Sequence, residues 1–300
     1  MKNLLIFSDL HLTQQDLPEC NEVLHEILDI KKKVDIDCVA DLGDTFDSLK
    51  PTSDCLDLIS TFLKDLNCQS IILAANSHES ETESSSIINH FGILASNVQV
   101  VKEYIDPKKL FLGHFFIKQS KVNYGSTRDI LEFDTFKHVI CGHQHIFEII
   151  KPNFCHIGSC RYVDFAEASG GAKKILYIKD YGTDKEQCKF INLKSPYPMY
   201  DLEINCSLVE FSKKLNALSS NSKIRVICNT YEQYKDYLVL EQEFKPKFNI
   251  FKHKNTFDGM ANNLVLAKQQ DISFEQGFKE WKDKQPIDKE VKEIIDEEMK

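Results

Sequence analysis

The chain has 300 residues, of which 42% are hydrophobic and 28% are charged, proportions typical of a globular protein that buries a sizeable core. Its formal net charge of −9 argues against a protein that holds nucleic acid through a basic surface of its own. No apolar run approaches about 18 residues, so we expect no membrane span.

The first residues and the cysteines indicate the compartment. Ser8 and Asp9 interrupt the short apolar run at the start, so we expect no secretory signal. The ten cysteines are scattered and include no C-x-x-C pair, which predicts reduced, mostly buried thiols. We therefore expect a cytoplasmic protein, in the host cytoplasm if a phage encodes it.

Short apolar runs alternate with helix-like stretches in the first part of the chain, and this rhythm predicts an α/β sheet. In order, the predicted elements are strand Leu4–Phe7, helix Glu22–Lys33, strand Asp37–Ala40, helix Ser53–Leu66 and strand Ser70–Ala74. Strand signals then crowd together with few helices between them, which predicts a second sheet packed on the first. These signals are Val98–Val101, Leu110–Leu112, Val139–Cys141, Phe147–Ile150, Phe154–Ile157, Ile175–Ile178 and Cys188–Ile191.

The two prolines of Lys194–Pro198 indicate a domain boundary. Beyond it we predict a small α+β domain of strand Tyr200–Ile204, helix Leu208–Leu218, strand Ile224–Cys228, helix Tyr231–Glu241 and strand Phe248–Phe251. The predicted domains are residues 1–195, 196–255 and a C-terminal helical segment, 256–300. In that last segment Phe274, Phe278 and Trp281 recur at helical spacing, either as a surface for a partner or as packing on the chain's own core.

Five short segments place metal-ligand side chains directly after predicted strands. Asp9 and His11 are two residues apart, as are His143 and His145, so each pair points to one side of an extended chain. Gly43 allows a sharp turn that leaves Asp44 at the carboxyl end of its strand, where α/β sheets bind ligands. Asp47 either supports this site or caps the next helix. The candidate ligands are Asp9, His11, Asp44, Asn76, His114, His143 and His145.

The composition of this set indicates the chemistry. Mixed imidazole and carboxylate ligands suit Mn²⁺, Zn²⁺ or Fe better than Mg²⁺ or Ca²⁺. A carboxylate that bridges two ions ~3.5–4 Å apart is the arrangement used to hydrolyse phosphate esters. A structural zinc site would use four ligands rich in cysteine, whereas this set has no cysteine. The pattern therefore favours catalysis.

The order of the motifs resembles the calcineurin-like metallophosphoesterase superfamily, whose motifs run D-x-H, G-D, G-N-H-D/E, G-H and G-H-x-H. The resemblance covers roughly residues 1–180 and implies a two-sheet sandwich flanked by helices. It also implies two divalent metal ions, most simply Mn²⁺, and an activated hydroxide that attacks phosphorus. One ion would be held by Asp9, His11, Asp44 and His145, and the other by Asp44, Asn76, His114 and His143.

A second stretch, His156–Ser169, resembles the Y-x-G-S-x-x-x-x-x-F-x-E motif of the SbcD-type DNA repair nucleases of bacteria, phages, archaea and eukaryotes. Gly158, Ser159, Phe165 and Glu167 match, and His156 replaces the tyrosine. This resemblance implies a metal-dependent DNA exonuclease with endonuclease activity in DNA repair, recombination and replication. It also implies a homodimer partnered by an SbcC-type coiled-coil ATPase, with a small capping domain.

The segment LAANSHES departs from the family pattern L-A-G-N-H-D-S. One alignment makes Asn76 the ligand and puts Ser77 in the place of the proton-donating histidine. The other makes His78 the donor and puts Ser77 in the place of the ligand. A one-residue insertion would keep both roles, so the hypothesis is Asn76 as ligand and His78 as catalytic acid, with Asp47 as the second catalytic candidate.

Two other functions stay open. The same core serves small-molecule phosphodiesterases and phosphoprotein phosphatases, which would lack a reason for the nuclease-like stretch. A catalytically weak adaptor that keeps the ATPase contact is supported by the irregular LAANSHES segment alone.

Overall fold

Two β-sheets face each other in the part of the chain that the computed structural model describes, residues 2–74, 88–121 and 128–256. With strands numbered in chain order, the first sheet contains β1 (Leu4–Phe7), β2 (Cys38–Asp41), β3 (Gln69–Leu73), β4 (Val98–Val101), β10 (Lys174–Lys179) and β11 (Gln187–Asn192). Their spatial order is β11–β10–β1–β2–β3–β4. Neighbours from β1 to β4 pair in parallel, and β10 pairs antiparallel with β1 and β11.

The second sheet has five strands in the order β5–β6–β7–β9–β8. They are β5 (Tyr104–Asp106), β6 (Leu110–His114), β7 (His138–Gly142), β8 (Glu148–Lys151) and β9 (Phe154–His156). The inner strands β6, β7 and β9 pair in parallel, while β5 and β8 pair antiparallel at the two edges.

The alternation of side chains along β1 explains why the sheets stack. Leu4 and Ile6 pack into a core shared with Leu112 and Ile140 of the second sheet. Leu5 and Phe7 point the other way, into the core beneath the helices. A strand covered on both faces reads as a continuous apolar run, which is the pattern of this segment. The predicted mixed α/β fold with two packed sheets is confirmed.

The outer face of the first sheet is covered by α1 (Leu17–Lys33) and α2 (Ser53–Leu66), and α3 (Asn89–Leu94) precedes β4. Helix α1 begins before the predicted Glu22, and Pro18 lies in its first turn, where a missing N–H costs nothing. Asn67 ends α2 in the left-handed conformation, which asparagine tolerates better than most residues.

Residues 199–255 form a third sheet of three strands with two helices, and we call this part of the chain the small unit. Its elements are β12 (Met199–Glu203), α4 (Leu208–Asn216), β13 (Lys223–Cys228), α5 (Tyr231–Phe244) and β14 (Ile250–Asn255). The strands are parallel in the order β12–β13–β14, so each helix connects neighbouring strands. Both helices begin with a capping box, Ser207 with Glu210 and Thr230 with Gln233.

The predicted domain boundaries at 195/196 and 255/256 stay predictions. The aromatic stripe of Phe274, Phe278 and Trp281 lies outside the described residues. Within the described ranges, no helix is long and apolar enough to cross a membrane.

Four strands of the two sheets, β1, β2, β6 and β7, end at one edge of the sandwich, where the loops that follow them begin. Strands β1 and β2 run parallel, so the loops that carry Asp9 and Asp44 leave the first sheet on the same side. Strands β6 and β7 are also parallel, with His114 opposite Gly142. The candidate ligands of both sheets therefore meet where these four strands end.

Candidate metal centre

Backbone hydrogen bonds tie the loops after β1 and β2 together. The N–H of Asp9 donates to the carbonyl of Gly43 at 3.0 Å, and the N–H of His11 donates to the carbonyl of Asp44 at 2.8 Å. A parallel bridge between Leu12 and Phe46 continues the pairing. The two loops therefore extend the strand ladder past the sheet edge and hold their side chains at a fixed spacing.

Four candidate ligands have positive φ angles. The values are 54° for Asp9, 47° for His11, 52° for Asp44 and 75° for His143. This left-handed region costs a non-glycine residue roughly 1–2 kcal/mol, and such strain clusters at functional sites. The turns at these four residues direct their side chains toward a common space between the sheets.

Asp9, His11 and His145 form the first ligand group, whose donor atoms lie within 4.8 Å of one another. The Nε2 atoms of His11 and His145 are 3.0 Å apart. Oδ1 of Asp9 lies 4.0 Å from Nε2 of His11 and 3.8 Å from Nε2 of His145. Both oxygens of the Asp9 carboxylate accept the N–H of His143 at 3.1 Å, which links this group to the next.

Asp44, His114 and His143 form the second ligand group, again within 4.8 Å. Nε2 of His114 lies 3.1 Å from Nδ1 of His143. Oδ2 of Asp44 lies 3.3 Å from Nε2 of His114 and 3.4 Å from Nε2 of His11 in the first group. One carboxylate oxygen of Asp44 therefore borders both groups.

These spacings fit metal ions. Two ligands about 2.1 Å from one ion, at the angles of tetrahedral or octahedral coordination, lie roughly 3.0–3.4 Å apart. The histidine–histidine and Asp44–histidine distances fall in this range. The buried aspartate and histidine groups can thus hold metal ions, and the donor set contains no cysteine among the described residues.

Two glycines leave room for the ligands. A Cβ atom on Gly142 would lie 2.2 Å from Oγ of Ser8, 2.9 Å from Nδ1 of His114 and 3.1 Å from Oδ2 of Asp9. A Cβ on Gly43, whose φ is 102°, would lie 2.9 Å from Nδ1 of His114. The glycines that the sequence motifs contain are therefore required by close approach of the side chains.

In the metal-free site, the two histidines of the second ligand group have very different pKa values. Burial lowers the pKa of His114, but the carboxylates of Asp9 and Asp44 outweigh this effect and raise it to about 9. Burial and the neighbouring charge of His114 lower the pKa of His143 to about 4. The pair therefore holds one proton near neutral pH, on His114, while His143 is ready to act as a neutral ligand.

Carboxylates orient the far nitrogens of the first group. Oδ1 of Asp47 lies 2.8 Å from Nδ1 of His11, so Asp47 supports a ligand from outside. Oε1 of Glu167 lies 2.9 Å from Nδ1 of His145, and its Oε2 accepts from Ser159 at 2.7 Å and from Lys173. Burial raises the pKa of Glu167, but His145 and Lys173 bring it down to about 2. Such carboxylate–histidine pairs fix the ring orientation of metal ligands.

The structure brings six of the seven predicted ligands together. Asn76 and His78 lie outside the described residues, so their assignments stay predictions. Strand β3, which precedes them, runs parallel to β2 and ends at Leu73 on the same edge as Asp44.

Three residues that shape the site were not among those predicted from the sequence. Asp41 accepts from the N–H of Gly43 and from Oγ1 of Thr45, which braces the turn before Asp44. Lys173 balances Glu167. Arg161 donates to the carbonyls of Leu10 and His11. For Asp41, its position as the last residue of a buried strand was an available signal, because a buried carboxylate needs a local reason.

A further His–Glu–Cys group lies at the opposite end of β7 and comprises His138, Glu186 and Cys188. Oε1 of Glu186 already accepts from His138 at 2.6 Å and pairs with Lys137 at 2.8 Å. An ion-pair cluster accounts for this group.

Comparisons with known proteins add little. No protein-family model matches the chain, and no curated protein matches it. One similar crystal structure has a TM-score of 0.38 at 8% identity, over 64% of this chain and 98% of that chain. Another, the nuclease MPE of Pseudomonas putida, has a TM-score of 0.30 at 16% identity, over 51% of this chain and 66% of that one. Both TM-scores lie below 0.5, so neither likeness bears on the function of this chain.

Proposed function

We propose that the chain is a phosphodiester hydrolase that uses two divalent metal ions, one in each ligand group. The observation that carries this proposal is the position of Asp44, whose Oδ2 lies 3.4 Å from Nε2 of His11 and 3.3 Å from Nε2 of His114. A single carboxylate between two histidine-rich groups is the arrangement that two-metal hydrolases need.

Divalent ions bound there would lower the pKa of water and neutralise charge on a phosphoryl group. The chain's own residues set the geometry of that chemistry. Asp9 and Asp44 lie between the histidines of the two groups and set their spacing. The imidazole of His143 is neutral in the metal-free protein, so it need not lose a proton to bind a metal ion.

The donor set supports Mn²⁺, with Zn²⁺ and Fe as alternatives, because imidazole and carboxylate ligands are mixed. In this proposal Asn76 completes the second group and His78 donates a proton to the leaving oxygen. Both assignments rest on the resemblance of the sequence motifs.

The substrate we propose is DNA. The stretch that resembles the SbcD-type nucleases contacts the first ligand group, since Ser159 donates to Glu167 and Glu167 contacts His145. The negative net charge of −9 is compatible with this substrate if metal ions and a basic partner supply the attraction. A coiled-coil ATPase of the SbcC type and a dimeric assembly are part of the proposal. A small-molecule phosphodiester is the second candidate, because it carries far fewer negative charges than DNA for an acidic chain to repel.

The test uses purified protein with Mn²⁺, an end-labelled DNA duplex and bis(p-nitrophenyl) phosphate. Hydrolysis of both substrates by the wild type, and of neither by Asp44→Asn, is the expected result. Asp134→Asn, which changes an exposed carboxylate paired with Lys151, is the matched control and should keep full activity.

Turnover of the small diester without cleavage of DNA would reject the nuclease and leave the second candidate. Failure to hydrolyse either substrate, with two Mn²⁺ ions bound per chain, would reject catalysis.

A further inference from the structure

The guanidinium of Arg161 holds the backbone of the first ligand loop. Its Nε donates to the carbonyl of Leu10 and its Nη2 to the carbonyl of His11, both at 2.5 Å. The side chain of Arg161 is only 3% exposed. Because His11 has a φ of 47°, these bonds help to retain a backbone conformation that is costly for histidine.

The small unit supplies a charge to the same network. Nζ of Lys223, on β13, is 2.5 Å from Oε2 of Glu19 and 3.3 Å from the carbonyl of Tyr162. Glu19, on α1, also pairs with Nη1 of Arg161 at 3.3 Å. The lysine and glutamate are 204 residues apart, and both are almost fully buried. Glu19 is therefore the bridge between the small unit and Arg161.

The network is balanced in charge, which makes each member depend on the others. Two carboxylates, Asp16 and Glu19, face two cations, Arg161 and Lys223. Removing one partner of a buried pair leaves an uncompensated charge. If Lys223 leaves Glu19, Arg161 is the one remaining cation among the described residues that pairs with the Glu19 carboxylate, while it also holds the carbonyls of Leu10 and His11.

A second contact leads from the small unit to the other histidine of the first group. Arg225 lies over the ring of Phe165 at 4.8 Å, and Lys252 lies over the same ring at 4.5 Å. Phe165 begins the short 3-10 turn that ends at Glu167, the carboxylate that orients His145. The small unit thus contacts Glu19, the partner of Arg161, and Phe165, which lies in the same turn as Glu167.

We propose that the small unit regulates the metal affinity of the first ligand group, with Lys223 and Arg161 as positioning residues that couple its docking to the His11 loop. The inference rests on the metal site of the proposed function and adds its regulation. Metal binding and docking would then stabilise each other, because coupling between two sites is reciprocal. A partner that displaced the small unit would weaken one metal site and leave the other in place.

The experiment compares the wild type with Lys223→Met, in which the stem keeps its packing and loses its charge. In Lys223→Met, titration calorimetry with Mn²⁺ should show an affinity about tenfold lower than in the wild type at one site, as for other substitutions of residues that support metal ligands. The affinity of the second site should be unchanged. Lys245→Met removes an exposed lysine of the same unit that pairs with Glu241 and should bind like the wild type. Equal affinities in Lys223→Met and Lys245→Met would overturn the inference.

Two further measurements keep the result interpretable. Hydrogen exchange at residues 9–12 in metal-free protein should be faster in Lys223→Met than in Lys245→Met; equal rates would overturn the coupling whether or not the wild type binds metal. The double variant Glu19→Gln/Lys223→Met removes both charges, so its fold avoids a lone buried carboxylate. The coupling predicts that it regains most of the affinity for the first ion, because Arg161 no longer has to neutralise Glu19 and can hold the carbonyls of Leu10 and His11. An affinity as low as in Lys223→Met would overturn the role of Glu19 as the bridge to Arg161. A wild type that binds no Mn²⁺ would instead reject the proposed function.

Discussion

The Nε2 atoms of His11 and His145 lie 3.0 Å apart, although the residues are 134 positions apart in the sequence. Each ring has a carboxylate on its other nitrogen, Asp47 behind His11 and Glu167 behind His145. The two carboxylates differ in environment, because the side chain of Asp47 is 42% exposed and that of Glu167 is 1% exposed. We therefore expect neutralisation of Glu167 to weaken metal binding more than neutralisation of Asp47.

Glu167→Gln should lower Mn²⁺ affinity at one site by 10–100-fold, because loss of the charge frees the ring of His145 and leaves Lys173 buried without its partner. Calorimetric titration measures the change. Glu132→Gln is the matched control, since Glu132 closes a capping box on another 3-10 turn as Glu167 does. An equal loss in both variants would mean that the effect comes from breaking a capping box and not from the contact of Glu167 with His145.

Asp47→Asn should lower the same affinity by less than tenfold. Water can replace an exposed carboxylate behind His11, and the amide oxygen can still accept from the ring. The same titration, run beside Glu167→Gln, ranks the two effects. A larger loss in Asp47→Asn than in Glu167→Gln would contradict this supporting role and favour direct binding of the metal ion by Asp47.

Gly142→Ala should reduce both stability and metal binding, because the new Cβ would lie 2.2 Å from Oγ of Ser8 and 2.9 Å from Nδ1 of His114. We expect a loss of about 1–3 kcal/mol in the free energy of unfolding, typical of overpacking. Urea unfolding in chelator measures it. Ser8→Ala/Gly142→Ala should recover part of that stability and little of the metal affinity, since His114 and Asp9 still meet the Cβ; full recovery of both would place the clash at Ser8 alone.

Asp41 makes the stability of the metal-free protein depend on pH. Burial raises its pKa from 3.8 to about 7, even though Thr45 and Gly43 donate to it. A raised carboxyl pKa means that the folded state binds more protons than the unfolded state, so stability falls as pH rises toward 7 and then levels off. Between pH 5 and pH 8 the wild type should lose about 3 kcal/mol relative to Asp41→Asn. Urea unfolding in chelator at both pH values tests this, and parallel pH profiles would contradict it.

Much of the site could be predicted because its residues follow apolar strands in the sequence. Asp9, Asp44, His114 and His143 each come at or just after the end of a strand, and parallel strands of one sheet end at a common edge. The two-residue spacing of His143 and His145 was a less reliable guide. Positive φ angles at Asp9, His11 and His143 break the extended alternation on which that argument depends. Asp9 and His11 still enter one ligand group, whereas His143 and His145 enter different groups.

Apart from Asp47, which the sequence offered as a support of the site and which contacts His11, several supports could not be predicted, because they depend on tertiary contacts. Arg161 meets the carbonyl of His11 across 150 positions, and no local pattern distinguishes it from a surface arginine. Strand β5 was missed because Tyr104–Asp106 is short and lies at a sheet edge. Strand β14 begins later than the predicted Phe248, since its register is set by pairing with β13.

The left-handed residues of the ligand loops imply a trade-off between stability and activity. Asp9, His11, Asp44 and His143 occupy backbone conformations that glycine or asparagine would adopt at lower cost. A chain selected only to fold well would carry those residues here. The presence of aspartate and histidine at four strained positions therefore marks this edge of the sandwich as the place where the protein gives up stability for function.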